Sequence, residues 1–533
     1  MSREYMPVFT SSGTKITCKS WVTEGLMRMF TNMFNPEIAS DPANLVIEKD
    51  SVQAVRDWDT FDEIISELKI LEADETLVLQ SGKPVGIFQT QMMAPRVLIS
   101  NSTIICDGVF HEVFSSLKKS GLTLCSDSTV GSWSYTGFQG NLVFLYTLYN
   151  QIARQHFNQD LSGKIVLSTG LQNSMGITAV AANMHGATFL TCDEDVSVID
   201  DLVSIGYIHH KLMNVDIAIN KAFELKAAKK SESIAYIGKP NDLLKAIVNM
   251  NLVPAIVTDN SRINKTLDVD VIKEIRTQMR YMLQLQDRGS VVFDSGNGIR
   301  YIARGAGLKD AMKIPGCFEQ YIRDEFCEGK GAMKWTALSG NVDDIHRIDN
   351  AILEAYPDNV EITSWINKVQ KFVKFTGLPT RVCWLGHGER RYIASVINKL
   401  VRDEELSAPV MISRESVDSG SVVNPKCVTE NMNDMSDSIS DWVFLNSMLN
   451  TASGATLVSI QQTHGTCGNS LNTGIALVAN GSPETDKRIS MVFSNDQGLG
   501  IIRYADAGYE KAIHTAVKYG LMSMKSSNGE KQQ

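Results

Sequence analysis

The chain has no apolar run long enough for a membrane span, no C-x-x-C pair and no cluster of cysteines and histidines. Its most apolar stretch, residues 142–148, falls far short of the roughly 20 residues that a membrane helix needs. The nine cysteines are odd in number and scattered. That pattern suits a reduced cytosolic protein and not a structural zinc site, so no metal is expected. Positive charge is also scarce: 51 Lys+Arg stand against 60 Asp+Glu, a formal net charge of −9. A nucleic-acid or anionic-membrane surface needs clustered positive charge, so neither partner is expected. The 13 prolines and 38 glycines show no collagen-like or low-complexity bias. The opening residues, Met1-Ser-Arg-Glu-Tyr-Met-Pro7, put charge where a signal peptide needs an apolar core. A cytoplasmic location is therefore the expectation.

What is present is material for large cores. With 533 residues, 43% of them hydrophobic, the chain exceeds one compact core and suits about two or three domains. The middle alternates short β-rich runs (164–168, 188–192, 233–237, 255–258) with helical segments (177–184, 241–250). Strands that read as continuous apolar runs between helices predict βαβ units and a parallel sheet. A long helix near 271–287 carries Ile272, Ile275, Met279, Met282 and Gln286 on one face, a stripe that reads as core-facing. The last third repeats the α/β rhythm, with strands at 381–385, 409–412, 456–460 and 474–479 and helices at 390–401 and 438–451. Two α/β bodies are expected. The first ~130 residues show too few strands for a sheet of their own and are assigned to the C-terminal body.

Four segments could carry chemistry. Gly170-Leu-Gln-Asn-Ser-Met-Gly176 follows a strand and opens a helix, with acidic residues including Asp193 at a suitable distance for a ribose-binding carboxylate. Its glycines are spaced G-x-x-x-x-x-G, so an ordinary crossover explains it equally well. Cys383 lies inside a strand that ends in Gly386-His-Gly388 before Arg390 and Arg391. It is either a small buried hydrophobe or a thiol activated by those cations. Asp418-Ser419-Gly-Ser-Val422, just after Arg414, is a small-residue turn that could hold an anion or be a plain turn. The run 451–456 is a similar small-residue helix end.

An ordered set of strings resembles the urocanate hydratase (urocanase) family. It includes Gln80-Ser-Gly-Lys-Pro-Val-Gly86, Thr129-Val-Gly-Ser-Trp133, Phe293-Asp-Ser-Gly-Asn-Gly-Ile-Arg300, Trp335-Thr-Ala-Leu-Ser-Gly340, Cys383-Trp-Leu-Gly386 and Asp418-Ser-Gly-Ser-Val422. The resemblance implies a core domain built from both chain ends (1–137 and 311–525), an inserted Rossmann-like domain (138–310) and a polar tail (526–533). It also implies a homodimer and a small imidazole-type carboxylate as substrate. Urocanases add water to the conjugated acrylate of urocanate, holding NAD⁺ tightly as an electron sink against the imidazole.

Carried over residue by residue, the resemblance implies Cys383 and Thr129 as catalytic groups. It places Lys334 where the family has an arginine for the substrate carboxylate, with Arg414 and Ser419 as further substrate contacts. NAD would be held by Gly170, Gly176, Asp193 and Gly238. The family's contact pattern is not kept there: its Tyr-Gly-Gly is Glu48-Lys49-Asp50, its glycine-rich loop is Gly170-Leu-Gln-Asn-Ser-Met175, a glutamine is Asp127 and a tyrosine is Ser295. Added side chains and carboxylates oppose a dianionic pyrophosphate. Three readings result: a urocanase-like hydro-lyase; a non-catalytic relative that has lost NAD and binds a ligand or a partner subunit; and a cofactor-free enzyme using His387, His464 or Cys467.

Overall fold

A computed structural model of the chain describes residues 5–48, 51–105, 110–127, 129–135, 137–171, 176–261, 268–414, 417–465 and 468–521. Lys49, Asp50, residues 172–175 and Cys467 from the sequence reading lie outside them.

Two sheets organise the fold. The N-terminal part gives β1 (Glu75–Gln80), β2 (Lys83–Gln89) and β3 (Val97–Asn101). The middle gives β4 (Ile165–Thr169), β5 (Thr188–Asp193), β6 (His210–Leu212), β7 (Ser233–Ile237), β8 (Ile256–Asp259) and β9 (Val291–Val292). The last part gives β10 (Gly331–Ala337), β11 (Thr380–Leu385), β12 (Val410–Arg414), β13 (Val422–Val423), β14 (Leu457–Gly465) and β15 (Gly468–Ala479).

The middle strands form one six-stranded sheet in the order β6-β7-β5-β4-β8-β9, parallel at every pairing among the described residues. Its apolar runs are buried on both faces, as parallel strands between helices require. On β4, Val166 enters one apolar layer, and Ile165 and Leu167 enter the other. The helix Val269–Asp287 covers the second layer with Ile275, Met279, Met282 and Leu285. Asp268 caps it, accepting from the Val271 N–H at 2.9 Å.

The other sheet joins the chain ends. Its order is β11-β10-β12-β15-β14-β3-β1-β2, with β13 on β15. The join is parallel, with β3 beside β14 (Val97 opposite Leu457, Leu98 opposite Val458). From β14 to β11 every pairing is antiparallel. The α/β rhythm of the last third therefore does not make a second parallel sheet: the strands pair antiparallel even where helices connect them. β14 and β15 also run further than their apolar cores suggest. The polar ends pair with each other, with Gln461 opposite Asn472 and its Nε2 2.5 Å from the Asn472 Oδ1.

The N-terminal helix Trp21–Asn32 carries a buried Arg28–Glu24 pair along one face at 2.9 Å. Arg28 also donates to the carbonyls of Gly13 at 2.8 Å and Leu338 at 2.5 Å. The helix Phe138–His156 lies between the sheets: Tyr146 meets Trp365 of the core body and His185 of the Rossmann-like body, so both share one apolar layer. Among the described residues no helix is long and apolar enough to cross a membrane, and no group of three or more His, Cys, Asp or Glu could hold a metal.

Candidate functional site

Strand pairing decides which side chains meet. β10 is buried throughout, and it pairs Ala332 with Trp384, Met333 with Cys383 and Lys334 with Val382 of β11. Directly paired residues point to the same face, and successive residues alternate. Ala332, Lys334 and Trp384 thus share one face; Met333 and Cys383 share the other.

On the first face lies a cleft of about 380 Å³, lined by Glu48, Asp127, Thr129, Tyr135, Gly137, Gly140, Asn141, Phe144, Phe318, Ala332, Trp384 and Val417. Its apolar wall is ordered. Phe144 stacks on Phe318 with ring centroids 4.9 Å apart, and Trp384 lies 6.5 Å from Phe144. The Trp384 indole N–H donates to Glu325 at 3.2 Å, which fixes the ring's orientation.

The polar wall is acidic. The Asp127 Oδ1 accepts the backbone N–H groups of Val130 at 2.8 Å and Thr129 at 3.1 Å. Its carboxyl is also hydrogen-bonded to Glu48, and Glu48 to the Tyr135 phenol. Burial pushes the Asp127 carboxyl up, while the backbone donors, Glu48 and Lys334 pull it down; the balance is a raised value. Tyr135 is raised too, by burial and by the two carboxyls. Lys334 is 0% exposed, and its buried charge acts on Asp127.

Thr129 lines the cleft, and Lys334 reaches it only through its charge, which acts on Asp127. Cys383 goes elsewhere: it is 1% exposed and borders a separate cavity of about 30 Å³ with Tyr146 and Trp365. Burial pushes its thiol well up, despite Arg381 nearby. Cys383→Ala is expected to cost about 1 kcal/mol of stability and to leave turnover unchanged. A fall in turnover at unchanged ligand affinity would return the thiol to the reacting side.

Arg414 and Ser419 lie in a buried charge network instead of the cleft wall. Arg414 pairs with Asp496 at 2.9 Å and donates to the Thr473 carbonyl at 2.8 Å. Arg390 pairs with Asp418, and Ser419 bonds the same Asp418 carboxylate through its N–H at 2.7 Å. The helix Pro483–Asp506 comes close here because Gly500 has no side chain; a Cβ there would lie 2.0 Å from the Ser419 hydroxyl.

The four expected cofactor residues line the C-terminal edge of the Rossmann-like sheet. The Asp193 carboxylate accepts the N–H groups of Leu171 at 3.1 Å and Asp195 at 2.9 Å. Gly170, with φ +81°, faces the protein's own chain: a Cβ would lie 2.4 Å from the Ser261 Cα. Gly238 sits against the Tyr236 ring, and Gly176 against Leu202. Between β4 and β8, where the strand order turns, the buried Asp259 carboxylate accepts from Thr169 at 2.5 Å, Ser261 at 2.6 Å, Gln278 at 2.6 Å and Asn297. Ser295 donates to the Asp259 carbonyl at 2.7 Å.

Sequence reasoning met Glu48 and Asp127 only as departures from a cofactor pattern. Both are acids at positions where the resemblance has uncharged residues, and that coincidence was the available signal. What the sequence could not give was their hydrogen bond.

The arrangement can hold a flat ring between aromatic walls and set a cation and two carboxyls against its polar edge. Comparison with family models agrees with the fold along its length. A urocanase N-terminal domain matches residues 8–134, a urocanase Rossmann-like domain matches 137–269 and 264–321, and a urocanase C-terminal domain matches 324–518. With all three domains matched in order, the chain belongs to the urocanase family.

Proposed function

We propose that the cleft binds a small, flat, conjugated heteroaromatic carboxylate of the imidazole-acrylate class, and that the chain is a urocanate-hydratase-like hydro-lyase adding water to it. The observation that carries this reading is the cleft itself: about 380 Å³ between ordered aromatic rings, with a buried lysine whose charge acts on its Asp127 wall. Ring faces give such a ligand apolar contact and orientation. Lys334 is the cation for its carboxylate, as a point charge in place of a bidentate fork. Water addition moves negative charge toward that carboxylate, so a fixed cation lowers the barrier. Thr129 stands at the same wall to orient the polar end.

NAD, which the family implies, does not fit the described residues. Asp193 is occupied by backbone N–H groups, Gly170 and Gly238 make room for Ser261 and Tyr236, and Asp259 puts a carboxyl at the turn in strand order. A dianionic pyrophosphate there would meet carboxylates and spent donors. No step of this reading passes through the dinucleotide. The same observation favours a second reading, a non-catalytic relative that keeps the cleft as a ligand site.

The test uses the purified full chain. It is denatured to assay released NAD; the native protein is titrated calorimetrically with urocanate, and urocanate absorbance is followed with and without added NAD. Turnover without released NAD supports the hydro-lyase reading. Binding without turnover selects the second. Stoichiometric NAD overturns the misfit, and absence of binding overturns both readings.

A further inference from the structure

We infer that Glu48 and Asp127 form a one-proton carboxyl pair that serves as both general acid and general base for water addition in the cleft, which frees the reaction from a cofactor. The inference rests on the hydro-lyase reading above. It comes from three features of the cleft that the family resemblance does not supply, because neither position is acidic in its pattern.

The first is the contact. The two carboxyls are hydrogen-bonded to each other and both line the cleft. A carboxylate has no donor, so one of the two must carry a proton. Two adjacent carboxylates also cannot both ionise cheaply in a partly enclosed site.

The second feature decides where the proton sits. Asp127 receives two backbone N–H groups, at 2.8 and 3.1 Å, and is acted on by the charge of Lys334. Those donors favour the charge on Asp127. Glu48 has the Tyr135 phenol beside it. The Tyr135 phenol gives Glu48 one donor, against the two N–H groups and the lysine charge acting on Asp127, and that imbalance leaves the proton on Glu48. The third feature is access. Glu48, Asp127 and Tyr135 are all only half-buried, so a ligand and a water can reach them.

The step balances without an oxidant or reductant. Asp127 takes a proton from water as the oxygen forms a bond to one carbon of the conjugated C=C. The π pair moves toward the ligand carboxylate held by Lys334, then forms the new C–H bond with the proton from Glu48. Asp127 is left protonated and Glu48 ionised. Transfer of that proton through the hydrogen bond between them restores the starting state.

The test compares wild type, Asp127→Asn and Glu48→Gln as full-length protein with urocanate. Each substitution is expected to lower kcat about 100-fold or more, with urocanate affinity unchanged within about threefold by calorimetry. The wild-type kcat/KM should be bell-shaped in pH. Asp127→Asn should lose the acidic limb, because no base remains to protonate; Glu48→Gln should lose the alkaline limb. A merely structural role would move neither limb. Infrared difference spectra against each variant should show one protonated carboxyl at neutral pH in the wild type. Turnover that survives both substitutions, or no protonated carboxyl, overturns the assignment alone. A wild type that shows the carboxyl and binds urocanate but does not turn it over overturns the hydro-lyase reading and the catalytic role with it.

Discussion

Replacing Asp496 by alanine is expected to lower the unfolding free energy by about 3–5 kcal/mol, the largest stability effect of any single change considered. Asp496 is 2% exposed and lies between two fully buried guanidiniums, with Arg414 at 2.9 Å and Arg390 at 3.7 Å. It also accepts the side-chain amides of Asn446 and Asn450, each at 2.9 Å. Removing it leaves two arginines facing Asp418 alone, and an uncompensated buried charge costs more than the intact pair contributes. The loss is read as a shift in the urea midpoint. A double substitution, Arg414→Met with Asp496→Leu, should recover much of it, because neither charge then remains unpaired. A midpoint unchanged by Asp496→Ala would show that the network is dispensable.

The pH dependence has a definite sign. Burial alone would raise the Asp496 carboxyl, but Arg414 and Arg390 hold it below its ordinary value. A depressed carboxyl contributes stability that is complete above the unfolded value, about 4, and is lost as pH falls through the folded value. The gap between wild type and Asp496→Ala should therefore be full at neutral pH and narrow in acid. A gap that stays constant into acid would show that packing, not charge, causes it.

Lys334→Met is expected to have the largest effect on ligand affinity. A hydrogen bond to a charged group contributes about 1.5–3 kcal/mol, so urocanate binding should weaken by about 10–150-fold. The change also removes a cation that pulls the Asp127 carboxyl down. That carboxyl would then keep its proton to higher pH, and the acidic limb of the activity profile should move upward. Lys334→Arg keeps the charge and should retain affinity within about tenfold, provided the buried site admits the larger head. Equal affinity in wild type and Lys334→Met would take the lysine out of the site.

Much of the fold was legible because the central strands carry their own signal. The helix at 177–184 and the strand at 233–237 stand where the apolar runs placed them, and the helix Val269–Asp287 buries Ile275, Met279 and Met282 from its stripe. The assignment of the first segment to the C-terminal body also holds at the pairing of β3 with β14. The antiparallel character of the core sheet was not legible: apolar runs record burial but not direction, and the polar ends of β14 and β15 hid a long hairpin.

The sequence by itself determined the helices and strands of the middle and several of the last third, that the middle builds a parallel sheet, and the family to which the ordered motifs point. Those properties rest on local periodicity and on strings of neighbours. Only the tertiary structure decided what the motifs face. Cys383 and Trp384 are adjacent in the chain, yet pleating sends them to opposite faces of one strand, and only the tryptophan reaches the cleft. Glu48 and Asp127 are far apart in the chain, and the loops that carry them meet over that cleft. A shared proton depends on distance in space, and distance in space is set by packing between elements that no local pattern records.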